Sequence, residues 1–192
     1  MKIKLTAFAK SKVTLVALLS VMTLTAQADD KANQQKQVEN VAQKTLAQLY
    51  KVNPPAKAAV EHAVGYAVFN NMGVKLLFAG SGAGKGIAVD NKTKNVTFMK
   101  MVELQAGLGF GVEKFSVVFV FDNEKVLSNF INSGWEFGSQ ASAAAKTTTQ
   151  GGAMAGAASV SEGVWMYQLT EKGLAAEITA TSTKYYKDSD LN

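Results

Sequence analysis

Apolar side chains return at helical spacing in the first part of the chain. Val38, Val41, Ala42, Leu46 and Leu49 fall at offsets 0, 3, 4, 8 and 11 and share one face, which predicts a helix from Asp29 to about Lys51. Asn53-Pro54-Pro55 must end it, because neither proline can donate a helix hydrogen bond. Pro55 suits the first turn of a second, short helix that runs to about His62, and Gly65 closes the helical region.

The pattern then changes to a period of two. Tyr66 to Phe69 is apolar and β-prone, and Gly80 to Val89 alternates small and larger residues. Asp90 to Asn95 is polar and turn-like, so the segment before it and Val96 to Leu104 after it form a hairpin. Gly107 to Val112 alternates again. Phe115 to Phe121 is almost continuously apolar, as a strand covered on both faces would be. Asp122 or Asn123 caps a helix whose stripe is Val126, Leu127, Phe130 and Ile131, with Gly134 at its end. Residues 138–163 are dominated by Ala, Gly, Ser and Thr and fit either small-residue strands or a loop. Strand character returns at Val164 to Leu169 and Ala176 to Thr181, with Glu171-Lys172-Gly173 as the turn between. The fold class is α+β: N-terminal helices packed on a mainly antiparallel, glycine-rich, curved β-sheet with one inserted helix.

The residues before this pattern read as an export signal. Lys2, Lys4, Lys10 and Lys12 precede an uncharged run from Val13 to Leu24, too short to span a bilayer, and Ala26-Gln27-Ala28 supplies small residues at alternate positions. Cleavage is expected between Ala28 and Asp29. The domain organisation is then 1–28 signal peptide, 29–62 helical segment and 63–192 β-rich region, a single domain of ordinary size. An uncleaved anchor helix is the alternative.

Charge changes in the light of that signal. The formal charge is +5, but four of the 20 lysines and none of the 15 acids lie in the signal, so the remainder carries +1. Every basic residue is Lys, which removes the guanidinium fork that reads guanine edges; nucleic acid is not an expected partner. Cysteine is absent, which excludes disulfides, thiolate metal sites, a cysteine nucleophile and a lipoprotein anchor. The expected location is the periplasm or the exterior.

Little in the sequence supports catalysis. The glycine-rich run ending in Lys85 has Ala79 where a phosphate-binding loop needs its first glycine, and Gly86 follows where it needs Ser or Thr, so no nucleotide is expected. His62 is the sole histidine and cannot complete a zinc site with a second imidazole or thiolate. No serine elbow or Ser-x-x-Lys motif is present. No enzyme activity, cofactor or metal is therefore expected.

Two features remain. Gly80, Gly82, Gly84 and Gly86 leave one strand face bare, and Gly107, Gly109 and Gly111 do the same on another. Either another element packs tightly on bare backbone, or the faces form a slot for a long apolar ligand such as an acyl chain. On the first helix Lys36, Lys44 and Lys51 cluster opposite the Val38/Leu46/Leu49 stripe, where they are either simply solvated or meet anionic headgroups.

From the Gly107-Leu108-Gly109-Phe110-Gly111 strand to its end, the sequence resembles the SYLF domain family. The match begins near Ala63 and includes Phe115 to Phe121 with the following helix, Ser133-Gly134-Trp135-Glu136-Phe137-Gly138, Gly173-Leu174 and Thr183-Lys184-Tyr185-Tyr186-Lys187-Asp188. That resemblance implies non-catalytic lipid or membrane binding, with phosphoinositide and actin contacts attributed to eukaryotic members. Many relatives carry an aromatic-Ser-x-Pro segment where this chain has Thr97-Phe98-Met99-Lys100. The expected function is reversible association with anionic phospholipid of the cell envelope, with Lys36, Lys44 and Lys51 as headgroup contacts. The alternative is an envelope interaction module that binds a protein partner.

Overall fold

The computed structural model describes residues 11–137, 154–171, 173–175 and 182–192. Helix α1 spans Ser11–Val52, and α2 spans Pro55–His62 with Pro55 in its first turn. Strand β1, Gly65–Asp90, and strand β2, Val96–Phe121, are 26 residues each and pair antiparallel along their length. The turn between them is held by Asp90, whose carboxylate accepts from the amides of Lys92 and Thr93 at 2.8 and 2.9 Å, while Lys94 takes the left-handed φ of 61°. Helix α3, Glu124–Ser133, is capped by Asn123, which accepts from the Val126 amide at 2.9 Å. Gly134 (φ 72°) ends it.

The sheet is completed by β3 (Trp135–Phe137), β4 (Ala158–Ser161), β5 (Val164–Thr170), β6 (Gly173–Leu174) and β7 (Ser182–Lys187). All its pairings among the described residues are antiparallel. On the edge of β2 away from β1, β7 pairs with Met99–Leu104 and β5 with Phe115–Phe121. The α+β expectation therefore holds, and two details differ. The segments expected as separate strands are continuous pieces of β1 and β2, with one irregularity between Leu77 and Ala79. Val41, expected on the buried stripe of α1, is 41% exposed, and Thr45 takes a core position instead. The expected strand at Ala176 to Thr181 and residues 138–153 lie outside the described residues.

Two apolar layers hold the sheet. On one face α1 and α2 supply Val38, Ala42, Leu49, Ala56 and Val60 against Val68, Ile87, Phe98, Val118 and Val120. On the other, Leu127 and Phe130 of α3 meet Phe69, Met99, Met101, Val117, Phe119, Phe121 and Tyr185. Residues 117–121 thus bury side chains alternately in both layers, as a continuously apolar run requires. Among the described residues no helix is long and apolar enough to cross a membrane.

Candidate functional site

The hairpin does not lie flat: the first arm of β1 packs on its second. A Cβ at Gly86 would meet the Val68 carbonyl oxygen and the Phe69 ring. At Gly84 it would meet the Asn70 carbonyl oxygen and Met101, and at Gly82 the Asn71 side chain and Glu103. Bare backbone at these three positions lets the arms approach closely. Gly80 lies opposite Gln105, Gly109 opposite Leu77 and Gly111 opposite Lys75; Gly107 belongs to the same stretch of β2.

Where the arms diverge, a groove of about 730 Å³ opens. Met101, Val102, Phe115, Leu169 and Tyr186 give it apolar walls, and Lys85, Lys100 and Lys114 bring cationic groups to it. Asn70 stands in one wall and joins three elements: its amide nitrogen donates to Ser116 Oγ at 2.6 Å and to Thr45 Oγ1 at 3.1 Å. The Thr45 hydroxyl also donates to the Val41 carbonyl at 3.0 Å, so this polar residue is satisfied inside the α1 interface. Deeper, buried Glu103 accepts a hydrogen bond from Asn71, and burial together with this carboxylate pushes the Tyr185 hydroxyl upward in pKa.

The three groove lysines differ in their partners. Lys100 Nζ lies 2.8 Å from Asp188 Oδ1 and 2.7 Å from Asp190 Oδ2, and these bonds raise the ammonium above its ordinary range. The bond to Lys100 in turn lowers Asp190. Lys85 Nζ donates to the neutral Gln34 side chain at 2.9 Å, and its charge also helps to hold the Asp190 carboxyl low. Lys114 is exposed and makes no ion pair among the described residues.

The Lys100 clasp carries a pH expectation. Stability from the lowered Asp190 is present above the unfolded carboxyl value of about 3.9 and fades as pH falls through the folded value. Stability from the raised Lys100 is present below about 10.4 and is lost only as pH rises through its folded value. Asp190→Asn should therefore melt below wild type at neutral pH, and the gap should close in strong acid. A gap that stays constant down to the lowest pH at which both proteins fold would contradict this assignment.

The lysines expected from the sequence lie elsewhere. Lys36, Lys44 and Lys51 are exposed on α1, opposite buried Val38, Ala42, Thr45 and Leu49. Val41 and Val52, 41% and 46% exposed, border that lysine stripe. His62 is exposed at the end of α2, and Ala28 and Asp29 lie within α1. Sequence reasoning missed the groove lysines. The hairpin register counted outward from the Asp90–Asn95 turn does place Lys85 opposite Lys100, whereas nothing local brings Lys114 to them.

A two-layered α+β shell with a basic, apolar-walled groove is the architecture of a binding module. Residues 102–192 match the Ysc84 family model, described as "Las17-binding protein actin regulator". Over 160 residues, 80% of this chain, the sequence is 30% identical to "Beta cell expansion factor A" of Aeromonas veronii, and the alignment covers 57% of that protein. The chain thus spans a little over half the length of this relative. Residues 102–192 thus carry a SYLF domain, of a family of binding domains.

Proposed function

We propose that this is a non-catalytic, exported protein that associates reversibly with anionic phospholipid at the cell envelope, through the outward face of α1. The observation that carries this reading is the exposed stripe of Lys36, Lys44 and Lys51 bordered by exposed Val41 and Val52. Lysines near a charged membrane contribute about 1 kcal/mol each, and apolar neighbours add burial at the interface. The Lys-rich leader and Ala26-Gln27-Ala28 support export to the periplasm, where envelope phospholipid is the available surface.

Vesicle sedimentation tests this. The protein should pellet with phosphatidylglycerol vesicles and far less with phosphatidylcholine vesicles, and high salt should release it. Changing Lys36, Lys44 and Lys51 together to Glu removes about 3 kcal/mol of attraction, and so should weaken binding by at least about 100-fold. Equal binding to both vesicle types sinks the electrostatic reading.

A protein partner is the second reading. It is favoured by Val102 and Leu104, 40% and 62% exposed on neighbouring outward positions of β2. One dominant protein adduct on cross-linking in cells, with no vesicle binding, would select it.

A further inference from the structure

We propose that residues 188–192 form a strap that seats the Asp29–Gln37 stretch of α1 and so positions Lys36 for headgroup contact, with Leu191 and Asn192 as the positioning residues. The proposal rests on the lipid reading of α1 given above. It starts from a stretch of helix that has no core side chain of its own. From Asp29 to Gln37 every residue is exposed except Lys31 and Gln35, which stand one turn apart on the line that continues through buried Val38 and Ala42. Both reach the strap. Lys31 Nζ donates to the Asn192 carbonyl oxygen at 2.8 Å, and Gln35 Nε2 donates to the Leu191 carbonyl oxygen at 2.8 Å. Lys85 also donates to Gln34, but at an exposed position where water competes for both partners.

The strap is itself fixed to the sheet. Leu191 is buried in the same core as Val38, Ala42 and Leu49. The Asn192 side chain brackets the backbone of Phe98 in β2: its oxygen accepts from the Phe98 amide at 3.0 Å, and its nitrogen donates to the Phe98 carbonyl at 2.8 Å. At the other end of the strap the Asp188 amide donates to the same carbonyl at 2.9 Å, and the buried Asp188 carboxylate holds Lys100. The helix thus leans on a segment anchored at both ends.

The place of Lys36 in the stripe gives the strap its consequence. Lys36 directly follows Gln35 and precedes Val38, the first buried residue, whereas Lys44 and Lys51 alternate with buried Ala42, Thr45 and Leu49. A short helical stretch without tertiary contacts is marginal in water, so the unstrapped turns would fray. Lys36 alone would then leave the rigid stripe and lose the advantage of being held in place before binding.

The test combines hydrogen exchange with phosphatidylglycerol-vesicle titration of the charge-neutral double variant Gln35→Ala, Asn192→Ala. Amides of residues 31–37 should exchange at least about fivefold faster, and those of residues 42–52 at the wild-type rate. Alanine is the better helix former, so faster exchange cannot come from lost propensity. Vesicle affinity should fall about three- to fivefold, up to the weight of one headgroup lysine. Lys36→Gln alone should produce the same fall, and adding the strap changes to Lys36→Gln should produce almost no further loss. Gln35→Ala by itself should show the same pattern at smaller amplitude, and it serves if the double variant folds poorly. The proposal is overturned if exchange in residues 31–37 is unchanged, if it quickens without loss of affinity, or if the strap changes cost as much without Lys36 as with it. Wild-type protein that ignores the vesicles overturns it together with the lipid reading. Vesicle binding that is lost in the Lys36/Lys44/Lys51 to Glu variant but intact in the strap variant sinks the strap alone.

Discussion

Gly86→Val is expected to destabilise the protein by about 3 kcal/mol, lowering the thermal midpoint by roughly 6–12 °C. The first carbon added would run into the Val68 carbonyl oxygen and the Phe69 ring, both within the packed crossing of the two arms. A flexible side chain could swing aside, but a main-chain carbonyl in a paired strand cannot. The arms would have to separate, and with them the contacts of Phe69, Met99 and Met101. Loss of unfolded-state entropy on replacing glycine favours the variant by only about 0.4–1 kcal/mol, too little to compensate. Ala83→Val makes the control. It lies on the same arm with its side chain exposed, and should change stability by no more than about 0.5 kcal/mol. Urea unfolding with an unchanged slope reads both. A Gly86→Val protein as stable as Ala83→Val would mean that the arms do not pack as described.

Phe119→Ala should cost about as much or more, on the order of 3–5 kcal/mol. Its ring is fully buried and lies edge-on to Tyr185 at 5.0 Å, Trp135 at 5.5 Å and Phe69 at 6.2 Å, with Phe130 tilted at 5.6 Å. Truncation therefore empties the centre of a ring cluster drawn from five elements, and β2 between its partners has little freedom to collapse into the void. Near-ultraviolet circular dichroism and Trp135 emission should change with the drop in stability. Phe119→Leu, which keeps most of the volume, should lose much less. Equal losses for the two variants would place Phe119 outside a close-packed cluster.

The class of fold was legible because its signals are local. Proline placed α2, Asn123 and Gly134 bounded α3, and the continuous run at Phe115 to Phe121 announced a strand covered on both sides. Errors arose where long-range partners decide. Apolarity put Val41 inside and left Thr45 out, yet the seam on α1 steps through Val38, Ala42, Thr45 and Leu49, and Asn70 from β1 satisfies the threonine. The same asparagine explains why β1 read as two pieces: Asn70 and Asn71 resemble a break, but their side chains are bonded to Thr45, Ser116 and Glu103 across the fold. Alternating glycines were visible as bare faces, but what approached Gly82, Gly84 and Gly86 was another part of the same strand. The groove was legible only in part: the register puts Lys85 opposite Lys100, but Lys114 lines the same groove only because the hairpin curls.

That curl also bears on association. A hairpin of this length laid out flat would expose the outer edge of β1, and unpaired edges are where sheets join other chains. Here the carbonyls of Val68 and Asn70 on that edge face the glycines of the second arm, so the chain caps its own edge without spending a further strand on it. Bulk added at Gly84 or Gly86 would then do more than lower a melting point. It would uncover a strand edge, and such variants should be lost to aggregation at temperatures where a core variant of equal stability stays in solution.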